Sequence, residues 1–259
     1  MYPLSGLEGK VAVVTGAGRL RSIGRPIAVA LARAGCDVVL TGTGRSPDRY
    51  TDEEKAAGWR DIDSVADDVV AAGRRALALV SDVADLEAVE RLADSVMDEF
   101  GRVDIVVNNA SVARGEDRKP VVDLDPQLWR LIMDVNLTGS FYMSKVFGQR
   151  LVDGGHGGSI VNISSIAGKI FGPNSAAYAA SKAGLQALTA CMAREVGLYG
   201  IRVNAICPGV VDTSRMDDLG LPVWAGVLPC TTAWGEPLAA ADLEVVLPPS
   251  PSVLARRRS

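Results

Sequence analysis

Short apolar runs alternate with longer amphipathic stretches along most of the chain, and this alternation limits the possible folds more than any other feature. The runs Val11–Val14 and Val38–Leu40 are apolar at every position, whereas residues 85–100 carry apolar side chains at helical spacing and end at Gly101. Strands that are apolar on both faces must be covered on both faces, which is typical of parallel sheets between helices. The alternation therefore predicts an α/β fold with a doubly wound, Rossmann-like parallel sheet in three α/β/α layers.

The same pattern predicts the individual elements. The predicted strands are residues 11–14, 38–40, 76–80, 103–107, 160–163 and 201–206, and the predicted helices are residues 27–34, 61–72, 85–100, 126–152 and 176–198. Open parallel sheets bind their ligands at the carboxyl ends of the strands. We therefore expect functional residues directly after the strands.

The composition argues against several classes of function. The 259 residues include 27 Lys and Arg against 31 Asp and Glu, and the resulting net charge of −4 does not favour nucleic acid as a partner. His156 is the single histidine, which excludes a histidine-rich metal site and disfavours a Ser-His-Asp triad. Because glycines flank His156, we interpret it as part of a flexible turn, and we expect no metal site.

Cysteine usage and hydropathy bear on the cellular compartment. The cysteines Cys36, Cys191, Cys207 and Cys230 are far apart and form no CxxC pair, so we expect reduced, buried thiols. No signal peptide is recognised before Gly6, and no apolar run reaches the ~18 residues of a membrane span. These features predict a cytoplasmic protein with no membrane partner.

A glycine-rich segment follows the first predicted strand. Its candidate phosphate-binding residues are Thr15, Gly16, Gly18, Arg19, Ile23 and Gly24. Glycines let the backbone approach a pyrophosphate, and the N-terminus of the next helix supplies N–H donors and a positive dipole. Such turns also arise for packing reasons, but the position between a first strand and a first helix favours dinucleotide binding.

Small or polar residues follow the third and fourth predicted strands. Asp82 and Val83 follow the third strand, and Asn109 and Ala110 follow the fourth. At these positions they would contact the adenine and ribose parts of a dinucleotide. Each pair could equally form a strand cap or an Asx turn.

The most informative residues lie after the fifth predicted strand. Ser165 ends this strand, and Tyr178 and Lys182 follow on a predicted helix, one turn apart and therefore on one face. An ammonium group near a phenol favours the phenolate, which can exchange a proton with an alcohol or carbonyl oxygen. A Tyr and a Lys at this spacing are usually ordinary surface residues. The serine at the strand end favours catalysis instead, because its hydroxyl can hold the substrate oxygen.

Together these motifs resemble those of the short-chain dehydrogenases/reductases. The resemblance rests on residues 7–16 (LEGKVAVVTG), Asn108-Asn109-Ala110, Asn136, Ser165, Tyr178-x-x-x-Lys182, and Arg202-Val203-Asn204-Ala205 followed by Pro208-Gly209. It covers residues 5–219, and the separate motifs occur in the family's order. It implies an enzyme that transfers a hydride between NAD(P)(H) and a small-molecule ketone or secondary alcohol.

The resemblance also implies roles for single residues. Tyr178 would be the general acid/base, and Lys182 would activate it and bind the nicotinamide ribose. Ser165 would polarise the substrate carbonyl, and Asn136 would hold a water molecule in a proton relay. The residues at the nicotinamide end of the cofactor would be Pro208, Gly209, Val211 and Thr213.

The end of the second predicted strand bears on the choice of cofactor. NAD enzymes typically place an acidic residue there for the ribose 2′-OH, whereas this chain has Thr43 and Arg45. With Arg45, Arg19 and Arg21 as candidate partners of a 2′-phosphate, we expect NADP(H) to be preferred over NAD(H). The alternative is that Arg45 is simply solvated, and residues 46–60 could also shape the adenosine end.

Two loops, the glycine-rich loop and segment 114–119, bear on how a cofactor and a substrate would bind. Six residues separate Thr15-Gly16 from Ile23-Gly24, a longer spacing than the family's, so Gly18 is only the nearest match to the middle glycine. The charged segment 114–119 lies where a substrate would enter. Such runs are usually solvated loops, and contact with substrate is the less favoured interpretation.

The last forty residues differ in kind from the rest of the chain. Six of the 13 prolines fall in residues 220–259, and this density disfavours helices and paired strands. We therefore predict a dinucleotide-binding and catalytic Rossmann-like domain of residues 1–219 and an atypical, proline-rich segment of residues 220–259, in which only Leu243–Leu247 suggests a strand. This segment stands where the family has its lid and seventh strand, and it is either a divergent lid or a sequence like an out-of-frame C-terminus. A seventh strand is doubtful, and without it the sixth strand would be an exposed edge.

The family resemblance also predicts a homo-oligomer. Family members form one subunit interface on two long helices, which correspond to residues 126–152 and 176–198, and a second on the seventh-strand region. Because the second region is atypical here, a dimer is better supported than a tetramer. Two other functions remain consistent with the sequence: a catalytically silent nucleotide-binding or oligomerisation partner, and a dehydration or epimerisation by the same residues.

Overall fold

The computed structural model describes residues 6–214 and the backbone of residues 238–239. The strands of the main sheet are β1 (Val11–Thr15), β2 (Asp37–Gly42), β3 (Ala76–Val80), β4 (Ile105–Asn108), β5 (Gly158–Ile163) and β6 (Ile201–Ile206). They form one parallel sheet in the order β3-β2-β1-β4-β5-β6. The strand order reverses between β1 and β4, which is the position where open parallel sheets bind ligands.

Helices cover both faces of this sheet. They are α1 (Gly24–Arg33), α2 (Asp52–Ala56), α3 (Ile62–Ala71), α4 (Leu86–Phe100), α5 (Pro126–Met133), α6 (Gly139–Gly154) and α7 (Ala176–Val196). Helices α1 and α3 pack on one face, and α4, α6 and α7 pack on the other. The predicted three-layer, doubly wound architecture is confirmed.

Strand β1 explains why the predicted strands are apolar at every position. Val13 packs into one hydrophobic cluster with Phe147, whereas its neighbour Val14 packs into the other cluster with Leu31 and Val65. Both valines have an exposed fraction of 0%. Since successive side chains of a strand point to opposite faces, a strand between two helical layers needs apolar residues throughout.

The predicted helix 126–152 is wrong in one respect. Helix α5 ends at Met133, residues Asp134–Thr138 form a π-helical segment, and α6 begins at Gly139. A π segment widens one turn of a helix and frequently occurs at functional sites. Apolar periodicity continues on both sides of it, which is why the pattern predicts one long helix.

Helix α2 has no counterpart among the predicted elements. It begins with a capping box, in which the Thr51 hydroxyl accepts from the Glu54 N–H and the Glu54 carboxylate accepts from the Thr51 N–H. The signature T-x-x-E was readable in the sequence. The helix divides the loop between β2 and α3 and brings the Glu54 side chain inward, where its exposed fraction is 2%.

Strand β6 is the edge of the main sheet within the described part of the chain. The two-residue strands β7 (Val211–Asp212) and β8 (Leu238–Ala239) pair in a separate sheet. As expected, no seventh strand joins the main sheet among the residues described, and a groove of about 640 Å³ follows the β6 edge. The strand suggested at Leu243–Leu247 lies outside those residues, as does most of segment 220–259.

The thiols are less uniform than expected. Cys36 is buried, and burial, with the nearby Asp104 charge, raises its pKa to about 12. Cys207 is partly buried and Cys191 is exposed on α7, so the expectation of buried thiols is wrong for Cys191. Cys230 lies outside the described residues. Among the helices described, none is both long and apolar enough to cross a membrane.

Candidate active site

A cleft of about 750 Å³ opens at the carboxyl ends of the strands, on both sides of the β1–β4 switch point. The predicted site residues that line it are Gly16, Gly18, Arg19, Ile23, Thr43, Arg45, Asp82, Val83, Asn109, Ala110, Ser165, Tyr178, Lys182, Pro208, Gly209, Val211 and Thr213. Three others, Thr15, Gly24 and Asn136, are not part of the lining. Motifs that are far apart in the sequence therefore meet in one cleft.

Thr15 and Gly24 do not line the cleft, but both contact Asn109, which binds the start of the glycine-rich loop. The Thr15 hydroxyl accepts from the N–H groups of Asn109 (3.0 Å) and Ala110 (2.9 Å), while the Asn109 amide donates to the carbonyls of Thr15 (2.8 Å) and Gly16 (3.0 Å). A Cβ on Gly24 would lie 2.7 Å from that amide nitrogen. The ends of β1 and β4 are therefore tied together at the start of the loop.

Two glycines of the loop are required by close packing. Gly16 has a φ of +65°, and a Cβ there would lie 2.7 Å from the Ala110 Cα. A Cβ on Gly18 would overlap the Asp61 carboxylate. Gly18, which is the nearest sequence match to the family's middle glycine, is thus fixed by a residue of the β2–α3 connection.

The β2–α3 connection holds the longer glycine loop in place. The Trp59 indole N–H donates to the Gly18 carbonyl at 2.7 Å, and the Arg45 guanidinium donates to the same carbonyl at 3.1 Å. The Leu20 N–H donates to Glu54 at 3.2 Å. Residues 46–60 thus bind the backbone of the glycine loop through Glu54 and Trp59, and their effect on the adenosine end of a cofactor stays a prediction.

Arg45 lies at the centre of a buried cluster of charges. Its guanidinium pairs with Glu54 at 2.9 Å and with Asp61 at 3.1 Å, and the exposed fraction of its side chain is 9%. Although burial raises the pKa of Glu54, hydrogen bonds from Arg45 and from two backbone N–H groups lower it to about 2. Burial lowers the pKa of Arg45, but the two carboxylates outweigh it and raise that pKa. Arg45 is therefore neither solvated nor available as a free cation, contrary to both interpretations of the sequence.

The other two candidate arginines have different surroundings. Arg21 pairs with Asp212 at 2.6 Å and with Glu53 at 3.6 Å. Arg19 lines the cleft, makes no ion pair within the described residues, and has a pKa lowered first by burial and then by the nearby charge of Arg45. A guanidinium that is partly desolvated and lacks a carboxylate gains from a bound anion. Arg19 is the arginine of the loop best placed for a phosphate group.

Tyr178 and Lys182 project from one face of α7 into the cleft, as predicted. The Lys182 ammonium lies 5.8 Å from the centroid of the Tyr178 ring and donates to the Ile163 carbonyl at 2.7 Å. Lys182 is 2% exposed, whereas Tyr178 is partly exposed to the cleft. The carbonyl at the end of β5 therefore fixes the position of the ammonium group beside the phenol.

Ser165 lies at the end of β5, opposite α7. Its hydroxyl oxygen accepts from the Ala167 N–H at 3.1 Å, and its carbonyl accepts from the Gln186 amide at 3.1 Å. The neighbouring Ser164 hydroxyl donates to the Lys182 carbonyl at 2.9 Å. These bonds join the strand end to α7, so that Ser165, Tyr178 and Lys182 keep one relative position.

Asn136 occupies the π segment and connects two elements of the site. Its side-chain oxygen accepts from the Val112 N–H at 2.9 Å, and its amide donates to the Ser181 hydroxyl at 3.1 Å. The residue is fully buried, and its carbonyl accepts from the Ser140 hydroxyl at 3.0 Å. Asn136 thus links the loop after β4 to α7, and its implied contact with a relay water stays a prediction.

The charged segment 114–119 brings an arginine to the tyrosine. The Arg118 guanidinium carbon lies 4.8 Å from the centroid of the Tyr178 ring, and Arg118 and Arg114 both line the cleft. Segment 114–119 therefore reaches the cleft, and its contact with a substrate, the less favoured interpretation of the sequence, stays a prediction. Its spacing from the other motifs carries no signal that would single out Arg118.

Sequence reasoning missed other lining residues. They are chiefly Arg49, Asp61, Ser111, Val112, Ala113, Leu131, Val135 and Ile166. Several follow β4 directly and could have been inferred from the strand-end rule. Asp61 lies in a connection with no family pattern. In the part of the chain that the structure describes, no group of three or more His, Cys, Asp or Glu residues could hold a metal ion.

A protein-family model and relatives with known names identify the family. A protein-family model described as short chain dehydrogenase matches residues 10–220. A 2-dehydro-3-deoxy-D-gluconate 5-dehydrogenase of Dickeya dadantii is 35% identical over 213 residues, which are 82% of this chain and 76% of the relative. A 3-oxoacyl-[acyl-carrier-protein] reductase of Synechocystis is 33% identical over 216 residues, 83% of this chain and 80% of the relative.

Solved structures show the same fold. Carveol dehydrogenase from Mycobacterium avium in complex with NAD superposes with a TM-score of 0.78 at 31% identity, covering 93% of this chain and 90% of that one. A short-chain dehydrogenase/reductase from Burkholderia xenovorans gives 0.77 at 31% identity, covering 93% and 88%. With this sheet, this cleft and a family match over most of its length, the chain belongs to the short-chain dehydrogenase family and is an NAD(P)-dependent oxidoreductase.

Proposed function

We propose that the protein transfers a hydride between a nicotinamide cofactor and a ketone or secondary alcohol, with Tyr178 as the general acid/base. The observation that carries this proposal is the position of the Tyr178 phenol. It faces the cleft beside the Lys182 ammonium, and no described residue hydrogen-bonds to its hydroxyl. The phenol is therefore available to exchange a proton with a bound substrate.

The residues at the other side of the switch point fit a dinucleotide. Gly16 and Gly18 leave the loop without side chains beside the N-terminus of α1, where N–H groups and the helix dipole favour phosphate. Arg19 adds a partly desolvated guanidinium without an ion pair in the described chain. When bound, the nicotinamide supplies or accepts the hydride.

The chain's own residues manage the proton and the substrate oxygen. In the direction of reduction, the Tyr178 hydroxyl donates its proton to the carbonyl oxygen, and the Lys182 ammonium stabilises the phenolate that remains. The Ser165 oxygen already accepts from the Ala167 N–H, so its hydroxyl proton is free to bind the substrate oxygen. Asn136 acts as a positioning residue through Val112 and Ser181.

The preference for NADP(H) over NAD(H) is part of the proposal, and it rests on Arg19, one of the three arginines that the sequence indicates, and on Arg49, which the sequence does not single out. Arg45 and Arg21 are paired with carboxylates, whereas Arg19 and Arg49 line the adenosine half of the cleft and make no ion pair among the described residues. We expect Arg19→Gln and Arg49→Gln to weaken NADPH binding more than NADH binding in fluorescence titrations. Equal losses for both cofactors would contradict the preference.

The experiment that tests the function is the Tyr178→Phe variant. Removal of the hydroxyl takes away the proton donor, so we expect kcat to fall by about 100- to 10,000-fold on any ketone that the wild type reduces. NADPH binding, measured by fluorescence titration, should be retained. Tyr199→Phe is the matched control, because Tyr199 is 48% exposed and lies outside the cleft lining. Unchanged turnover of Tyr178→Phe would refute the assignment.

The same assay distinguishes the alternative functions. Binding of NADPH without turnover of any ketone in a broad panel would favour a catalytically silent nucleotide-binding partner. A dehydration or an epimerisation leaves no net change in the cofactor, so an assay of NADPH oxidation would not detect it. Product analysis by NMR would reveal either reaction.

We also propose a homodimer formed through the helices of residues 126–154 and 176–196. Trp129 and Phe141 on this side of the molecule have exposed fractions of 37% and 43%, although both are large apolar side chains. Burial of such a surface is the usual reason for a subunit interface. Light scattering on the wild type and on Phe141→Glu would test this, and a monomeric wild type would contradict it.

A further inference from the structure

Building on the proposed function, we propose that the substrate carries a carboxylate group, which Arg118 binds next to the reacting carbonyl or alcohol. The substrate class is then an oxo acid or hydroxy acid, and a neutral ketone is a poorer substrate. Three observations carry this inference: the unused donors of Arg118, the rigid turn that holds it, and the distribution of charge along the cleft.

Arg118 has hydrogen-bonding capacity that the described protein does not use. Its side chain is 25% exposed, lies over the Tyr178 ring and lines the cleft. Its Nε is buried, makes no hydrogen bond, and lies 3.3 Å from the Asp117 carboxylate. No described residue accepts a hydrogen bond from its two terminal nitrogens. A guanidinium presents these donors as a fork that matches a carboxylate.

The loop around Arg118 holds the guanidinium in position before a substrate binds. Asp117 is 4% exposed, and its carboxylate accepts from the Gly115 N–H at 3.1 Å. The Arg118 N–H closes the same turn by donating to the Gly115 carbonyl at 3.2 Å. The flat aromatic face of Tyr178 supports the side chain from the other side. Such preorganisation reduces the entropic cost of forming the bond to a ligand.

The two halves of the cleft differ in the signs of their charges. The adenosine half carries both signs, since the carboxylates of Asp61 and Asp82 line it together with four arginines, Arg19, Arg21, Arg45 and Arg49. Around β4 and β5 the charged lining residues of the described chain are Arg114, Arg118 and Lys182, all cations. A low-dielectric wall with one sign of charge favours a ligand of the opposite sign.

The remaining lining residues define the rest of the substrate class. Leu131 and Val135 give the same half an apolar surface, and Ser165 and Tyr178 bind the reacting oxygen under the proposed function. Because the guanidinium lies directly over the tyrosine ring, the carboxylate is separated from the reacting carbon by only a few bonds. The geometry therefore points to a small oxo acid with a short apolar portion.

The test compares acids with their own neutral esters. A panel of 2-, 3- and 4-oxo carboxylic acids, each beside its methyl ester, is assayed with NADPH on the wild type and on Arg118→Gln. The loss of a charge-assisted hydrogen bond to the substrate corresponds to a decrease of about 10- to 100-fold in affinity and in kcat/KM. We expect Arg118→Gln to lower kcat/KM by that factor on the acids, mainly through KM, and by less than about 2-fold on the esters.

Two further variants act as controls. Lys119→Gln removes the same charge from the adjacent position, which is exposed and outside the lining, and should behave as the wild type. Arg118→Lys keeps the charge without the fork and should recover part of the loss.

A binding measurement separates this inference from the proposed function. Calorimetric titration of the oxo acids into NADPH-saturated Tyr178→Phe should show binding that Arg118→Gln abolishes in the same background. If acids and esters bind and react equally well, or if neither binds, the carboxylate inference is overturned. If the acids bind but the wild type reduces none of them, the proposed function fails while the binding site stands.

Discussion

Each end of the cleft has an arginine on a loop that follows a strand, but the two side chains have different surroundings. Arg45, after β2, is bound by two carboxylates and by the Gly18 carbonyl. Arg118, in the loop after β4, contacts one carboxylate through Nε and otherwise lies on an aromatic ring. The difference shows that an arginine that lines a cleft is not necessarily free to bind a ligand. The number of acceptors within its reach decides whether it stabilises the fold or remains available.

Burial makes the Arg45 cluster interdependent. The exposed fractions of the Arg45 and Glu54 side chains are 9% and 3%, so each ion depends on the other for compensation of its lost hydration. Arg118 is less buried and borders the open cleft, where water can replace a lost partner. The two arginines should therefore respond differently to the same substitution.

The largest expected effect is on stability when Arg45 is replaced by Met. This change leaves Glu54 and Asp61 buried without a counter-charge, so we expect the free energy of unfolding to fall by about 3–5 kcal/mol. Arg118→Met, the matched change at the other end, should cost less, about 1–2 kcal/mol, because it affects one carboxylate, Asp117, which keeps its hydrogen bond from the Gly115 N–H. Urea unfolding followed by circular dichroism measures both values. Equal losses of unfolding free energy in the two variants would mean that both arginines stabilise the fold to the same extent.

A smaller effect appears as a dependence of stability on pH. The pKa of Glu54 is lowered from 4.5 to about 2 in the folded protein, so its carboxylate stabilises the fold above pH 4.5 and loses that contribution as the pH falls toward 2. Between these values the wild type should lose at most about 3 kcal/mol that Glu54→Gln does not lose. Thermal melts from pH 6 to pH 2 would show it. Glu116→Gln, an exposed substitution in the loop of Arg118, should follow the wild type; parallel curves for all three proteins would rule out the Glu54 contribution.

The smallest change compares one methyl group at each end. In Gly18→Ala the new Cβ overlaps Asp61, which Arg45 holds in place, so we expect a loss of about 1–3 kcal/mol in stability and a weaker NADPH affinity. Gly115→Ala, beside Arg118, has open space around its Cβ and should change neither quantity. Thermal melts and fluorescence titrations of both variants test this. If Gly18→Ala has the stability and NADPH affinity of the wild type, Asp61 moves freely.

Much of the fold could be predicted because burial on both faces leaves a direct trace in the sequence. Residues 76–80 and 201–206 were predicted with the bounds that β3 and β6 have in the structure. The π segment could not be predicted in this way, since apolar spacing remains regular on both sides of Asp134–Thr138. The energetic difference between an α turn and a π turn depends on bonds to other elements, such as those of Asn136, which a local pattern does not contain.

The candidate site likewise has a part that could be predicted from the sequence and a part that could not. Ser165, Tyr178 and Lys182 could be placed from strand ends and helical spacing, and the structure brings them together at the cleft. The partners of Arg45 could not, because Glu54 and Asp61 reach it from nine and 16 residues away through a connection without a family pattern. The capping signature at Thr51 was the one local clue to that connection. Charge type could be read from the sequence, but charge pairing depended on the conformation of the connection.

The π segment also has a consequence for how this chain tolerates insertions and deletions. Residues Asp134–Thr138 add a widened turn between α5 and α6, and Asn136 within it bonds to Ser181 on the catalytic helix. A π turn holds one residue more than an α turn, so deleting one residue there would let the two helices merge into a regular α-helix. The contact of Asn136 with Ser181 on α7 depends on the widened turn, so we expect the deletion to break it while Ser165, Tyr178 and Lys182 all stay in the chain. The length of this short segment is therefore as much a part of the active site as the identity of its residues.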